Sequence, residues 1–298
     1  MIASESKDSD FYVRLVLSST RQSVNHSNGF VYMLCRLLRQ VKKISSSFSE
    51  RKFSSSSRCP VYFLADACHG QGYNLASSVL SRTSSCALLA AVTQSRACET
   101  EMKQKFWDGD RILTSTIDLT TDETTKFIHR VEYGFGPVDV LLANCGEVPS
   151  RWRRDFAKRA PRIDEIHASE WVRLYKDVAA VGILLRNLLP GMLKNQHKAS
   201  TRRVIAVFTH QAPSHIINAV ALKSAHKALH ELVKGAGNEL VSRNVTVVLV
   251  ETPNLQPEEA SRWATEVAKA LERLRTDEFF ASRHNGQILD VDFPRDEK

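Results

Sequence analysis

The sequence predicts an α/β domain built on a doubly wound parallel sheet with helices on both faces, and three observations carry that expectation. Short β-rich runs alternate with helical stretches from residue 60 onward. Several of those runs are apolar at consecutive positions, as strands covered on both faces must be. Helical windows separate one run from the next, which suits parallel strands. In order, the expected strands are VYFLA (61–65), CALLAAV (86–92), ILTSTI (112–117), VDVLLA (138–143), VIAVF (204–208), VTVVLV (245–250) and QILDV (287–291), all rich in β-branched or bulky apolar residues. Between them, helical periodicity recurs near 71–82, 97–106, 121–133, 168–195, 221–242 and 257–275. The order is that of a Rossmann-type fold.

Composition narrows the reading. A chain of 298 residues with 43% hydrophobic content can bury a sizeable core, and no run reaches the eighteen or so apolar residues of a membrane span. The formal charge of +8 sits mostly in residues 1–59, which carry 10 Lys+Arg against 4 Asp+Glu and leave 31 against 29 for residues 60–298. The basicity therefore says little about the domain, and nucleic acid is not an expected partner. Six cysteines, Cys35, Cys59, Cys68, Cys86, Cys98 and Cys145, form no CxxC pair and have no histidine at metal-ligand spacing, so reduced thiols and no metal are expected.

Residues 1–59 form a basic, serine-rich segment expected to lie outside the fold. From Met33 the stretch MLCRLLRQVKKISSSFSERKFSSSSRC holds seven basic residues, eight serines and one acid. Leu34, Leu37, Leu38, Val41 and Ile44 share one helical face, with Arg36, Arg39 and Lys43 opposite. A cationic amphipathic helix poor in acids has the physics of a mitochondrial presequence, and Arg51 to Ser54 resembles a matrix processing site. The alternative is a disordered basic tail of a cytoplasmic protein, and the 32 residues before Met33, with Glu5, Asp8 and Asp10, favour that alternative unless translation starts at Met33.

The domain resembles the short-chain dehydrogenase/reductase family over residues 60 to about 292. The family's TGxxxGxG turn aligns with ADACHGQG (65–72), its NNAG with ANCG (143–146), its adenine-capping acid with Asp118 in IDLTTDE, and one of its long helices with the segment containing LPGM (189–192). HGQGYNLA, LLAAVT and VTVVLVETPNL are similar to retinol, hydroxysteroid and hydroxybutyrate dehydrogenases, whereas THQAP and TEVAKAL are similar to ketosphinganine reductases. The resemblance implies an NAD(P)-dependent oxidoreductase fold. It also implies oligomers formed through the helices near 168–195 and 221–242.

The nucleotide cradle that this resemblance implies would use Asp66, Gly70, Gly72, Arg96, Asp118, Asn144 and Gly146. Asp66 replaces the first glycine of a turn that needs close approach to a pyrophosphate, and its charge should weaken binding unless the side chain points to solvent or caps the next helix. Arg96 could meet the 2′-phosphate of NADP, so NADP is the expected nucleotide, with weak or absent binding. After the sixth strand the family's Pro-Gly is Thr252-Pro253. Only a short stretch then precedes a helix, so the usual substrate flap is expected to be missing.

The family's proton chemistry needs a tyrosine, a lysine four residues on, a serine thirteen before the tyrosine, and an asparagine. Those positions hold Lys223, Lys227, His210 and Asp177, and only Lys227 matches. Adjacent ammonium groups at 223 and 227, with His210, could form an unusual acid-base set, but a solvated helix face and a hydrogen-bonded loop residue explain them as well. The insertion SRWRRDFAKRAPR (150–162) places six basic residues with Trp152 and Phe156 near the expected cleft, suited to nucleic acid or an acidic partner, with a solvated loop the favoured alternative. The reading is thus a pseudoenzyme-like family member acting through protein interaction, with an active NADP-dependent ketone or alcohol oxidoreductase as the alternative.

Overall fold

Seven parallel strands form one sheet in the order β3-β2-β1-β4-β5-β6-β7. The computed structural model describes residues 59–68, 71–82, 87–106, 111–144, 150–156, 159–194, 201–210, 216, 219–253, 255 and 257–291. The expectations for residues 1–58, and for Gly70 and Gly146, lie outside the described residues. The strands are β1 (Val61–Ala65), β2 (Leu88–Thr93), β3 (Ile112–Thr116), β4 (Val140–Asn144), β5 (Arg203–His210), β6 (Val245–Thr252) and β7 (Ile288–Leu289). The helices are α1 (Gly72–Arg82), α2 (Arg96–Lys105), α3 (Asp122–Gly134), α4 (Ser150–Asp155), α5 (Ala168–Leu193), α6 (Val220–Leu240), α7 (Pro257–Thr276) and α8 (Glu278–His284). All seven expected strands and six expected helices are present. The seventh strand contracts to two residues, and the short helices α4 and α8 are additions.

Strand alternation splits the core into two layers. Val61, Phe63 and Ala65 of β1 face α3, α5 and α6, where Phe127, Val181, Leu184, Leu188, Leu229 and Val233 meet them. Tyr62 and Leu64 face α1, α7 and α8, packing with Leu75, Val79, Trp263, Val267, Leu271 and Ala281. A strand that is buried on both faces is apolar at most positions, which is why β1, Val140–Ala143 of β4 and most of β5 and β6 read as apolar runs. Where β1 and β5 flank β4, a buried ion pair joins Asp139 to Arg203, and Asp139 Oδ2 accepts from Val61 N at 2.8 Å. That pair ties the entry ends of the three central strands.

The sheet order reverses at β1, which lies between β2 and β4. Consecutive connections leave on opposite sides there, so a crevice opens beyond the carboxyl ends of β1 and β4. Ala65 pairs with Ala143 in register, which puts Asp66 beside Asn144 at the head of that crevice.

Two expectations need correction. Cys68 and Cys98, expected as reduced thiols, form a disulfide with Cα atoms 5.9 Å apart. Their 30-residue separation carries no motif, and only the packing of the β1–α1 turn against α2 brings them together. The insertion is not an aromatic-basic surface. Trp152 is fully buried and Phe156 is 9% exposed, packed with Ile166, Leu174, Ile216, Leu222 and Ala225 in a third core cluster. Arg151 pairs with Glu170 at 2.8 Å and Arg159 with Glu165 at 2.5 Å, so much of its positive charge is met locally. Arg159 also holds the Glu165 carboxyl down to about 2. Trp152 and Phe156, four apart, are core anchors of a small cap on α5 and α6.

Candidate active site

A cavity of about 510 Å³ opens at the carboxyl ends of the strands. Asp66 and Asn144 line its head, Gln94, Thr116 and Asp118 one flank, and Arg173, Lys176, Asp177 and His210 the other. A crevice of this volume suits a small-molecule ligand.

Asp66 determines the shape of the turn. It is 8% exposed and holds φ 56, the left-handed conformation for which a glycine is ordinarily used and which Asp tolerates better than most residues. Its Oδ2 accepts from Gln94 Nε2 at 2.7 Å and the residue is buried, so the carboxylate does not point to solvent, one of the two alternatives anticipated for it. Gly72 is required as a glycine. A Cβ there would lie 2.6 Å from Asp66 O and 2.8 Å from Ala67 C, both backbone atoms that cannot swing away.

Asn144 and His210 form a buried polar chain below the turn. Asn144 Nδ2 donates to Asp66 O at 2.8 Å, which leaves its Oδ1 to meet His210 Nε2 at 3.2 Å. Because that oxygen can only accept, the Nε2 of His210 carries the hydrogen. His210 is 6% exposed at the end of β5. Its Nε2 hydrogen is spent on the asparagine.

Asp118 and Lys176 bridge the cavity from the β3–α3 connection to α5, with Nζ 2.5 Å from Oδ2. The Lys176 hydrogen bond, together with the Thr120 backbone and hydroxyl, outweighs partial burial and holds the Asp118 carboxyl at about 2. An acid implied to cap an adenine is thus engaged by a lysine one residue before Asp177.

The four positions of the expected catalytic set separate into two pairs. Asp177 and His210 line the cavity; Lys223 and Lys227 do not. Lys223 is exposed on α6, and Lys227, 68% exposed, pairs with Glu231 at 2.9 Å one turn further on. The like-charge pair anticipated for 223 and 227 therefore includes a carboxylate that offsets one of its members. Arg96 opens α2 at an exposed position outside the cavity lining. Four residues separate Thr252 from the start of α7, as the short connection predicted. Sequence reasoning missed Gln94, Arg173 and Lys176. Gln94 follows the last residue of β2, the place searched only for an acid or an arginine.

The residues present fit a dinucleotide in part. Gly72 keeps the close backbone approach that a pyrophosphate needs, but the buried carboxylate of Asp66 lies in the same turn, and like charges in a partly dry crevice repel. Asp66 is the residue of the described turn that counts against a phosphate there. Among the described residues, no helix is long and apolar enough to cross a membrane.

Comparison with known proteins agrees with this geometry. The profile of the short chain dehydrogenase family matches residues 61–267. Solved structures similar to the chain include a putative 3-oxoacyl-reductase from Bacillus thuringiensis, 18% identical with TM-score 0.61, covering 78% of this chain and 96% of that one. A 3-ketoacyl-(acyl-carrier-protein) reductase from Brucella melitensis complexed with NADH is 19% identical with TM-score 0.61, covering 79% and 98%. Acetoin dehydrogenase from Enterobacter cloacae is 20% identical with TM-score 0.58, covering 79% and 96%. At these identities the likeness is one of fold. A search of curated proteins finds no match. With the profile spanning more than half of its length, the chain belongs to the short-chain dehydrogenase family.

Proposed function

We propose that this protein is a catalytically impaired family member that acts through protein interaction, as a homo- or hetero-oligomer formed by the outer faces of α5 and α6. The observation that carries the reading is the separation of Lys223 and Lys227 from the cavity that holds His210 and Asp177. Reduction of a ketone needs a proton delivered to the developing alkoxide, and a positioned general acid is worth roughly a hundred- to ten-thousand-fold. Lys223 is a solvated cation on a flexible stem, and the Nε2 hydrogen of His210 is engaged by Asn144. The interaction half of the reading is supported by apolar side chains left exposed on those helices outside the cavity lining: Tyr175 at 43% and Val220 at 54%.

Assays with NADPH and NADH across retinoids, steroids, hydroxybutyrate and ketosphinganine should give no turnover above background. Lys223→Tyr alone should not restore it, because His210 and Asp177 would remain. The second reading, an active NADP-dependent ketone or alcohol oxidoreductase, is favoured by the presence of His210 and Asp177 in one cavity. Robust wild-type turnover that disappears in Lys227→Ala would establish it.

The mitochondrial assignment is part of the proposal and rests on the amphipathic stretch from Met33. Mass spectrometry of the endogenous protein should find an N-terminus near Ser54, and an intact Met1 on a cytosolic protein would overturn the assignment.

A further inference from the structure

The turn after β1 is tied to β2 and α2 at three consecutive residues. Asp66 Oδ2 accepts from Gln94 Nε2 at 2.7 Å, Ala67 N donates to Val92 O at 2.9 Å, and Cys68 is bonded to Cys98. The third tie is covalent and is the one that thiol chemistry can undo. Both cysteines are only half-buried, so the bond is within reach of a small reductant. Cys98 is the third residue of the ten-residue helix α2, and its sulfur belongs to the first turn, where the helix dipole favours negative charge.

We propose that Cys68–Cys98 is a thiol–disulfide exchange site whose redox state sets the order of the start of the nucleotide turn, residues 66–68. The reacting partner is a thiol of the glutathione or dithiol class. Its thiolate attacks Sγ of Cys68, the S–S bond breaks, and the electron pair leaves on Sγ of Cys98 at the start of α2. That thiolate takes a proton from solvent. A second reductant thiolate then attacks the mixed disulfide at the reductant's sulfur, and Cys68 leaves as a thiolate and is protonated. Two protein sulfurs are reduced while two reductant thiols become one disulfide, and oxidised glutathione drives the same steps in reverse. In the oxidised form the turn and the start of α2 move as one unit. In the reduced form the covalent link to α2 is gone, and the turn keeps its hydrogen bonds to Gln94 and Val92 beside β2.

The test uses the full chain without any nucleotide, so it stands apart from whether the crevice binds a cofactor. Protein oxidised with glutathione disulfide is compared with protein reduced by dithiothreitol, reading hydrogen exchange in peptides covering 66–68 and 96–99, with α3 as the internal reference. Reduction should speed exchange in the turn by about tenfold or more, reversibly, while α3 stays unchanged. Cys98→Ser should exchange at the reduced rate under both conditions. Equal turn exchange in the two redox states of the wild type would overturn the proposal. So would a dithiothreitol response that persists in Cys98→Ser, which would place the effect on another thiol. Alkylation mass spectrometry that finds Cys68 and Cys98 free after oxidation would overturn it as well.

Discussion

Asp66→Asn separates the charge of the nucleotide turn from its shape. The residue sits at φ 56, which asparagine tolerates at least as well as aspartate, and the amide oxygen of asparagine can still accept from Gln94 Nε2, 2.7 Å away in the wild type. What the substitution removes is charge assistance. A hydrogen bond to a charged group contributes about 1.5–3 kcal/mol and a neutral one about 0.5–1.5 kcal/mol. Stability should therefore fall by about 1 kcal/mol, lowering Tm by roughly 2–4 °C for a domain of this size. Nucleotide affinity should move the other way. A carboxylate and a phosphate at roughly 5 Å in an effective dielectric near 20 repel by about 3 kcal/mol, which corresponds to about a hundredfold in affinity. The Gln94 amide offsets part of that field, so an increase between about tenfold and a hundredfold is expected for both NADPH and NADH. Isothermal titration calorimetry on the wild type and Asp66→Asn reads the affinity, and thermal unfolding reads the stability. Unchanged affinity in a folded variant would refute the reasoning, because it would mean that Gln94 already turns the charge out of the path of the phosphates. Asp66→Gly is the less clean comparison, since it deletes the Gln94 bond and adds backbone freedom at the same time.

The ion pair across the cavity gives a pH prediction. Lys176 holds Asp118 at about 2, below its ordinary 3.8, so whatever stability the pair contributes is present above the ordinary value and is lost as pH falls toward about 2. In Lys176→Ala the Asp118 carboxyl should titrate upward toward its ordinary range by carboxyl NMR, with only a small change in stability because Asp118 is 44% and Lys176 47% exposed; an unmoved titration would show that Thr120 alone sets it. Trp152→Ala should lower stability by roughly 3–5 kcal/mol, since the side chain is fully buried in the cap cluster. A urea unfolding midpoint equal to the wild type would restore the view of the insertion as a surface loop.

The order and type of the main elements were legible in the residues themselves. VYFLA and VTVVLV read as strands covered on both faces because apolar residues occupy both alternating sets of positions, and the helices between them repeat their apolar residues at helical spacing. These signals are local, carried by neighbours two to four apart, so they survive without knowledge of the fold. The glycine at 72 and the polar residues at 66, 118, 144, 177 and 210 were likewise identified in the sequence, and the structure places Asp66, Asp118, Asn144, Asp177 and His210 around one cavity. The short helices α4 and α8 were not legible, since six and seven residues give too few turns for a period to show. Only the tertiary structure decided where each side chain turns. Asp66 faces Gln94 because the turn leans on β2, and Cys68 meets Cys98 because that turn packs against α2. Trp152 is core because α5 and α6 offer it Leu174 and Leu222, and Lys227 is a surface residue paired with Glu231 although its spacing in the sequence matches a catalytic lysine. Spacing along a chain decides which residues share a face. Which partner that face meets depends on segments tens of residues away, which is why the pairing of Lys227 and the burial of Trp152 were decided only in three dimensions.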